Sequence, residues 1–369
     1  MSPNRFRVAG VSAVVAALVL SATACSTSGS GNGEQDISGP FEPATSGEVN
    51  LYTWSNYFPQ DVVDRFTAET GITLNIDTYP SNEALEAKLR STNGAGYDVV
   101  VPSDYMAEIL IKDGFAKEIN AAELPNGSNI APERLDDYFD PGRKYTSPYL
   151  YGTTGFMYDS DVIPVGEAPA SWKDYFNPPA AAGQVSVFDD PITVINAALR
   201  ANGAQTCSKE PADLQAAQDL LMTFKPRVST VSNDGQTDRM LSGEQSLLMM
   251  WNGTAHRIRA QKPSAIYVYP EEGLDLWQDN MMVLNAAENT PQALTLVNWL
   301  MDPKNMADIA NQLGYNAGLT GMDEYLSPEM KSDPGVVIPA EFADRVAPTL
   351  PCDNETRDAF SRIWETFKK

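Results

Sequence analysis

One histidine, His256, and three cysteines, Cys25, Cys207 and Cys352, are all that this chain of 369 residues contains of those types. A zinc site, a thiolate cluster or a His-based catalytic triad therefore has almost no material, and neither metal nor cofactor is expected. Positive charge is scarce as well. Lys and Arg total 26 against 49 Asp and Glu, a formal net charge of -23, so nucleic acid and anionic membrane surfaces are poor partners. The N-terminal apolar run, VAGVSAVVAALVL, is too short for a transmembrane helix.

That run does fit something else. It follows Arg5 and Arg7 and precedes the small residues SATAC, the order of an export signal over residues 1–24. Small residues ending on Cys25 resemble a bacterial lipobox, in which that cysteine is lipidated and becomes the mature N-terminus; Ala22 stands where Leu is usual. Residues 25–46 are rich in Ser, Gly and Pro and read as a flexible tether. Cys207 and Cys352 remain as a possible disulfide in an oxidising space, and spacing alone leaves their pairing open.

From residue 48 onward, strand-like runs alternate with amphipathic helices. VNLYTW is a strand, and PQDVVDRFTAETG is a helix opened near Pro59 and stopped by Gly71. ITLNIDTY, SNEALEAKLRST and YDVVVPS continue the pattern, with Ser81 as N-cap and Glu83 placing negative charge in the first turn. This spacing predicts a parallel α/β layer. After DYMAEILIKDG comes GFAKEIN, read as an edge. A second set of elements follows the extended SPYLYGTTGFMYDSDVI: SWKDYFN, GQVSVFDD, PITVINAALRAN and DLQAAQDLLMTFK. At LDLWQDNMMVLNA the chain returns toward the first set, and ETRDAFSRIWETFKK forms a closing helix. Trp54 and Tyr57 sit where a strand leaves its buried stretch, the place where open α/β sheets bind ligands.

In their order, LYTWSNYFPQDVVDRFTAETGITLNI, YPSNEALEAKL, YDVVVPSDY, PYLYGTTGFMYD, MMWNGTA, LWQDNM and LGYNAG resemble the spermidine/putrescine-binding proteins of bacterial ABC importers. The resemblance covers nearly the whole chain after the tether. It implies an α/β, two-lobed periplasmic-binding-protein fold with two crossovers and a ligand cleft between the lobes. One lobe would hold residues 47–152 and 279–322, the other 153–278 and 323–369. By the same resemblance Trp54, Ser55, Tyr57, Ser103, Tyr105, Asp190, Trp251, Trp277, Asp279 and Tyr315 would line the cleft. Aromatic faces suit the methylenes and ammonium charge of a flexible organic cation, and a buried carboxylate must neutralise each ammonium. Partners would be a small amine, a membrane permease and a cytoplasmic ATPase, with the membrane reached only through the lipid anchor of an extracytoplasmic monomer.

Departures from the family pattern bear on the ligand. Asn56, Thr193 and Thr254 stand where relatives carry acids, leaving Asp279 and Asp190 as the expected carboxylates. Asp190 precedes Pro191 and is equally a helix cap. A monocation or a zwitterion such as an ω-amino acid is therefore an alternative to a polyamine. A ferric ion is another, through tyrosine ligands, of which the chain has 15 to offer. Catalysis is not expected, since no nucleophile, metal cluster or phosphate loop accompanies these acids.

Overall fold

The structure, a computed structural model, describes residues 40–369. Cys25, the export signal and most of the tether lie outside the described residues. Within them, strands β1 (Gly47–Trp54), β2 (Ile72–Tyr79), β3 (Val99–Val100), β4 (Thr146–Asp159), β5 (Val185–Val187), β6 (Val228–Val231), β7 (Leu247–Trp251), β8 (Ala265–Val268), β9 (Leu274–Val283), β10 (Asn316–Ala317) and β11 (Val346–Pro348) join in one sheet. Its order is β2-β1-β3-β9-β4-β7-β5-β6, with β8 and β10 on β4 and β11 on β9. β1 runs parallel to β2 and β3, and β5 runs parallel to β6 and β7. Between these two parallel groups lie β4 and β9, antiparallel to each other and to β7 and β3 respectively. The sheet is thus mixed, because its two longest strands run through the middle rather than alternating with helices.

Apolar burial follows the same division. Residues such as Val49, Leu51, Phe66, Ile72, Met281, Leu296 and Ile309 form one core, and Leu85, Leu89, Met106 and Leu110 pack on the opposite face of β1. Phe156, Val187, Ile195, Leu221, Met249 and Phe360 form another, with Met157, Leu248, Met250 and Ile258 across β4 and β7. Strands buried on both faces read as unbroken apolar runs, which is why LLMM carries no alternation. Met330 and Val336 pack with the first core, whereas Ile338 and Phe342 pack with the second.

The helices take the ends their sequences predict. Gln60–Thr70 buries Val62, Val63 and Phe66 and closes on Gly71, whose left-handed backbone (φ 73°) lets its N–H reach the Thr67 carbonyl. In Asn82–Thr92 the Ser81 hydroxyl accepts from the Ala84 N–H at 3.2 Å. GFAKEIN is not a strand, since it meets the sheet only through a bridge between Ala116 and Leu284. Cys207 and Cys352 are joined by a disulfide with Cα atoms 5.2 Å apart, tying the segment after helix Pro191–Ala201 to the start of helix Asn354–Lys368.

Candidate functional site

Where the two parallel groups meet, β4 and β9 pass each other with Gly152 opposite Trp277 and Tyr151 opposite Gln278. A side chain at Gly152 would collide with the indole, its Cβ falling 2.8 Å from Trp277 Cζ2, so the glycine lets the ring lie across β4. Trp277 then donates from Nε1 to the Thr154 hydroxyl at 3.1 Å and sets its edge against Tyr315, ring centres 5.3 Å apart. Strand alternation puts Asp275, Trp277 and Asp279 on one face of β9. All three line a cavity of about 320 Å³.

All ten residues expected at the cleft line this cavity. Trp54 ends β1 and donates from its indole to the Val101 carbonyl at 3.0 Å, while its ring rests on Tyr79. The chain then turns through Ser55 and Asn56, the latter left-handed at φ 56°, which brings Tyr57 back toward β9. Tyr57 donates its hydroxyl to Asp279 Oδ2 at 2.7 Å, and Ser103 donates to Oδ1 at 2.6 Å. Asp279 is therefore a held carboxylate in the sheet and not the cap of a turn. Trp251, last in β7, stacks on Phe188 with centres 4.3 Å apart and presents its other side to the cavity. Tyr315 packs directly over Gly253, where a Cβ would stand 2.3 Å from the ring. This accounts for the glycine in MMWNGTA.

Asp190 fills both of its candidate roles at once. Its carboxylate caps helix Pro191–Ala201, accepting from the Thr193 N–H and hydroxyl at 2.9 Å each, and it faces the cavity. Tyr105 donates to Glu83 Oε1 at 3.0 Å. Asn56, Thr193, Asn233 and Thr254 also lie in the wall.

The cavity wall holds more carboxylates than the expected Asp279 and Asp190. Asp234, Asp238 and Asp275 line the cavity as well, with Asp275 paired to Arg200 at 2.5 Å. Period two along LDLWQD was the available signal for Asp275. For Asp234, Gln236 and Asp238, in a loop and a short helix, no pattern was available. Arg257 is the one arginine or lysine of the lining, donating to the Thr254 hydroxyl at 3.0 Å and to the Leu313 carbonyl.

Burial dominates the electrostatics. It pushes the Asp279 carboxyl up to about 7, against the opposing pull of the Ser103 and Tyr57 hydrogen bonds. Asp190 and Asp275 are raised by burial too. Tyr57, Tyr105 and Tyr315 are raised above the usual phenol value, again first by burial, which disfavours the phenolate that a ferric ion would require. Among the described residues no group of three His, Cys, Asp or Glu is placed to hold a metal ion.

Comparison with known proteins adds a family to this geometry. Residues 61–338 match the model for bacterial extracellular solute-binding proteins. The chain belongs to that family. It is 33% identical over 291 residues to the spermidine/putrescine-binding periplasmic protein of Escherichia coli K12, covering 79% of this chain and 83% of that one. The putrescine-binding periplasmic protein SpuD of Pseudomonas aeruginosa is 30% identical over 350 residues, 90% of this chain and 95% of SpuD. Among solved structures, the spermidine/putrescine ABC transporter substrate-binding protein PotD of Streptococcus pneumoniae superposes with a TM-score of 0.71 at 27% identity, covering 88% of this chain and 99% of that one. The fold is that of the periplasmic binding proteins, and the family is one of solute-binding proteins rather than enzymes.

Proposed function

We propose that this protein captures a small polyamine-type cation outside the cytoplasm and delivers it to an ABC permease powered by a cytoplasmic ATPase. One observation carries this reading: Asp279 is 4% exposed, holds two hydroxyl donors, and has no cationic side chain within ion-pair distance among the described residues. A buried carboxylate of that kind is stabilised by an incoming ammonium, and Trp54, Trp251 and Trp277 supply faces for its methylenes. Relatives named for spermidine and putrescine support the ligand class. A cavity of about 320 Å³ suits a compact ligand, being at the low end of small-molecule sites.

In this reading the two cores are two lobes, and β4 and β9 form the crossovers at Gly152 and Trp277. The third passage between lobes falls between Val336 and Ile338 rather than at 322/323, given how those residues pack. Ligand touching both lobes shifts the population toward a closed form. The monomer is tethered through lipid on Cys25. A second reading, a zwitterionic ω-amino acid, draws on Arg257 in the same wall, a partner for a carboxylate.

Calorimetric titration with spermidine, putrescine, agmatine and 4-aminobutyrate tests both. Tight binding of a di- or triamine is expected. Binding of 4-aminobutyrate alone would replace the polyamine reading with the zwitterion, and binding of none would remove both.

A further inference from the structure

A carboxylate behind the cavity wall is left over once Asp279 and Asp190 have been assigned ammonium groups. Glu83 sits in the first turn of helix Asn82–Thr92, directly after Asn82, which lines the cavity. Its Oε1 accepts from Tyr105, a cavity residue, and its Oε2 is buried with no hydrogen-bond partner among the described residues. The nearest cation is committed elsewhere. Arg357, from the C-terminal helix, ion-pairs with Glu86, which also holds Arg90.

Across from Glu83 lies the second core's contribution. The Asn233 side chain joins the two sides, donating from Nδ2 to the Pro80 carbonyl at 2.5 Å and accepting at Oδ1 from the Asp189 N–H at 2.9 Å. One amide thus bridges the residue before Ser81 to the residue before Asp190. This brings two like charges, one from each half, to the same end of the cavity, with Tyr105 and Thr193 as their hydrogen-bond donors.

We propose that Glu83 is a specificity-determining residue: with Asp190 it forms a carboxylate pair, one member from each half, that a ligand ammonium must neutralise for the halves to close. The protein would then select for ligands with a second positive charge at this end, beyond the one held by Asp279. This rests on the amine-capture reading. The charge balance agrees with it. Burial and then the neighbouring Asp190 charge push Glu83 up to about 7, with Tyr105 and Arg357 pulling the other way. An arriving ammonium favours both ionised forms, so binding near neutral pH releases protons.

The test is Glu83→Gln, with Glu83→Asp as the charge-conserving control. Putrescine affinity is expected to fall about ten-fold or more in Glu83→Gln, and less in Glu83→Asp. Titrations near pH 7 in buffers of different ionisation enthalpy are expected to show fewer protons released by Glu83→Gln than by wild type. A Glu83→Gln variant within two-fold of wild type, with the same proton count, would overturn the proposal. Ligand-free protein supplies an independent arm: Glu83→Gln should flatten the fall of Tm between pH 5 and 8, and an unchanged slope would also overturn it. Wild type that binds no amine is a separate result, and refutes the capture reading instead.

Discussion

Replacing Asp279 by asparagine separates binding from folding. Asp279 is 4% exposed and burial pushes its carboxyl up to about 7 from the ordinary 3.8, so keeping it ionised costs the ligand-free fold on the order of 4 kcal/mol at pH 8. The sign follows from proton counts. Between about pH 4 and 7 the folded state holds a proton that the unfolded state has lost, so this group's contribution to stability is greatest at low pH and declines as pH rises through that window. Asp279→Asn removes the charge and retains a polar group between Ser103 and Tyr57, at some loss of hydrogen-bond strength. Its ligand-free Tm at pH 8 is therefore expected to equal or exceed that of wild type. Binding moves the other way. An ammonium deprived of its buried carboxylate forfeits roughly 2 to 5 kcal/mol, about two to four decades in affinity. Differential scanning fluorimetry and calorimetric titration with putrescine, at pH 8 and 5.5, measure both quantities. Affinity within two-fold of wild type would refute the placement of an ammonium at Asp279, and a large drop in ligand-free Tm would refute the electrostatic argument.

Other outcomes follow from the same geometry. Trp277→Ala should weaken amine binding about ten-fold or more by titration, since a lost contact of about 1.4 kcal/mol is one decade, with far-ultraviolet circular dichroism unchanged. Gly253→Ala places a Cβ on the Tyr315 ring, and reduced affinity with a folded spectrum is expected from the displaced tyrosine. Reducing the Cys207–Cys352 bond, or replacing both residues by serine, removes a cross-link over 145 residues, and chain entropy makes that loss about 5 kcal/mol, visible as a lower urea midpoint. Cys25→Ser should shift the protein from the membrane to the soluble fraction of fractionated cells.

Much of the site was legible before any coordinates. Helix ends at Gly71 and Ser81 and the strand exit at Trp54 were legible because local backbone preferences and short-range spacing write themselves into sequence, while the family resemblance of the ordered motifs named ten residues that line one cavity. Glu83 was legible only as a favourable charge in a helix's first turn, whereas Asp190 was expected both as a cap and as a cleft carboxylate. Their proximity depends on Asn233 joining Pro80 to Asp189, contacts 153 and 44 residues apart along the chain. The antiparallel passage of β4 beside β9, the close approach of Gly152 to Trp277 and the burial that raises Asp279 are likewise products of packing. Composition and local pattern determined the charge balance and the element boundaries, and the ordered motifs set the expected class of ligand through the family they resemble. Only the tertiary structure shows how many carboxylates line the cavity, because burial and like-charge proximity are properties of neighbours in space.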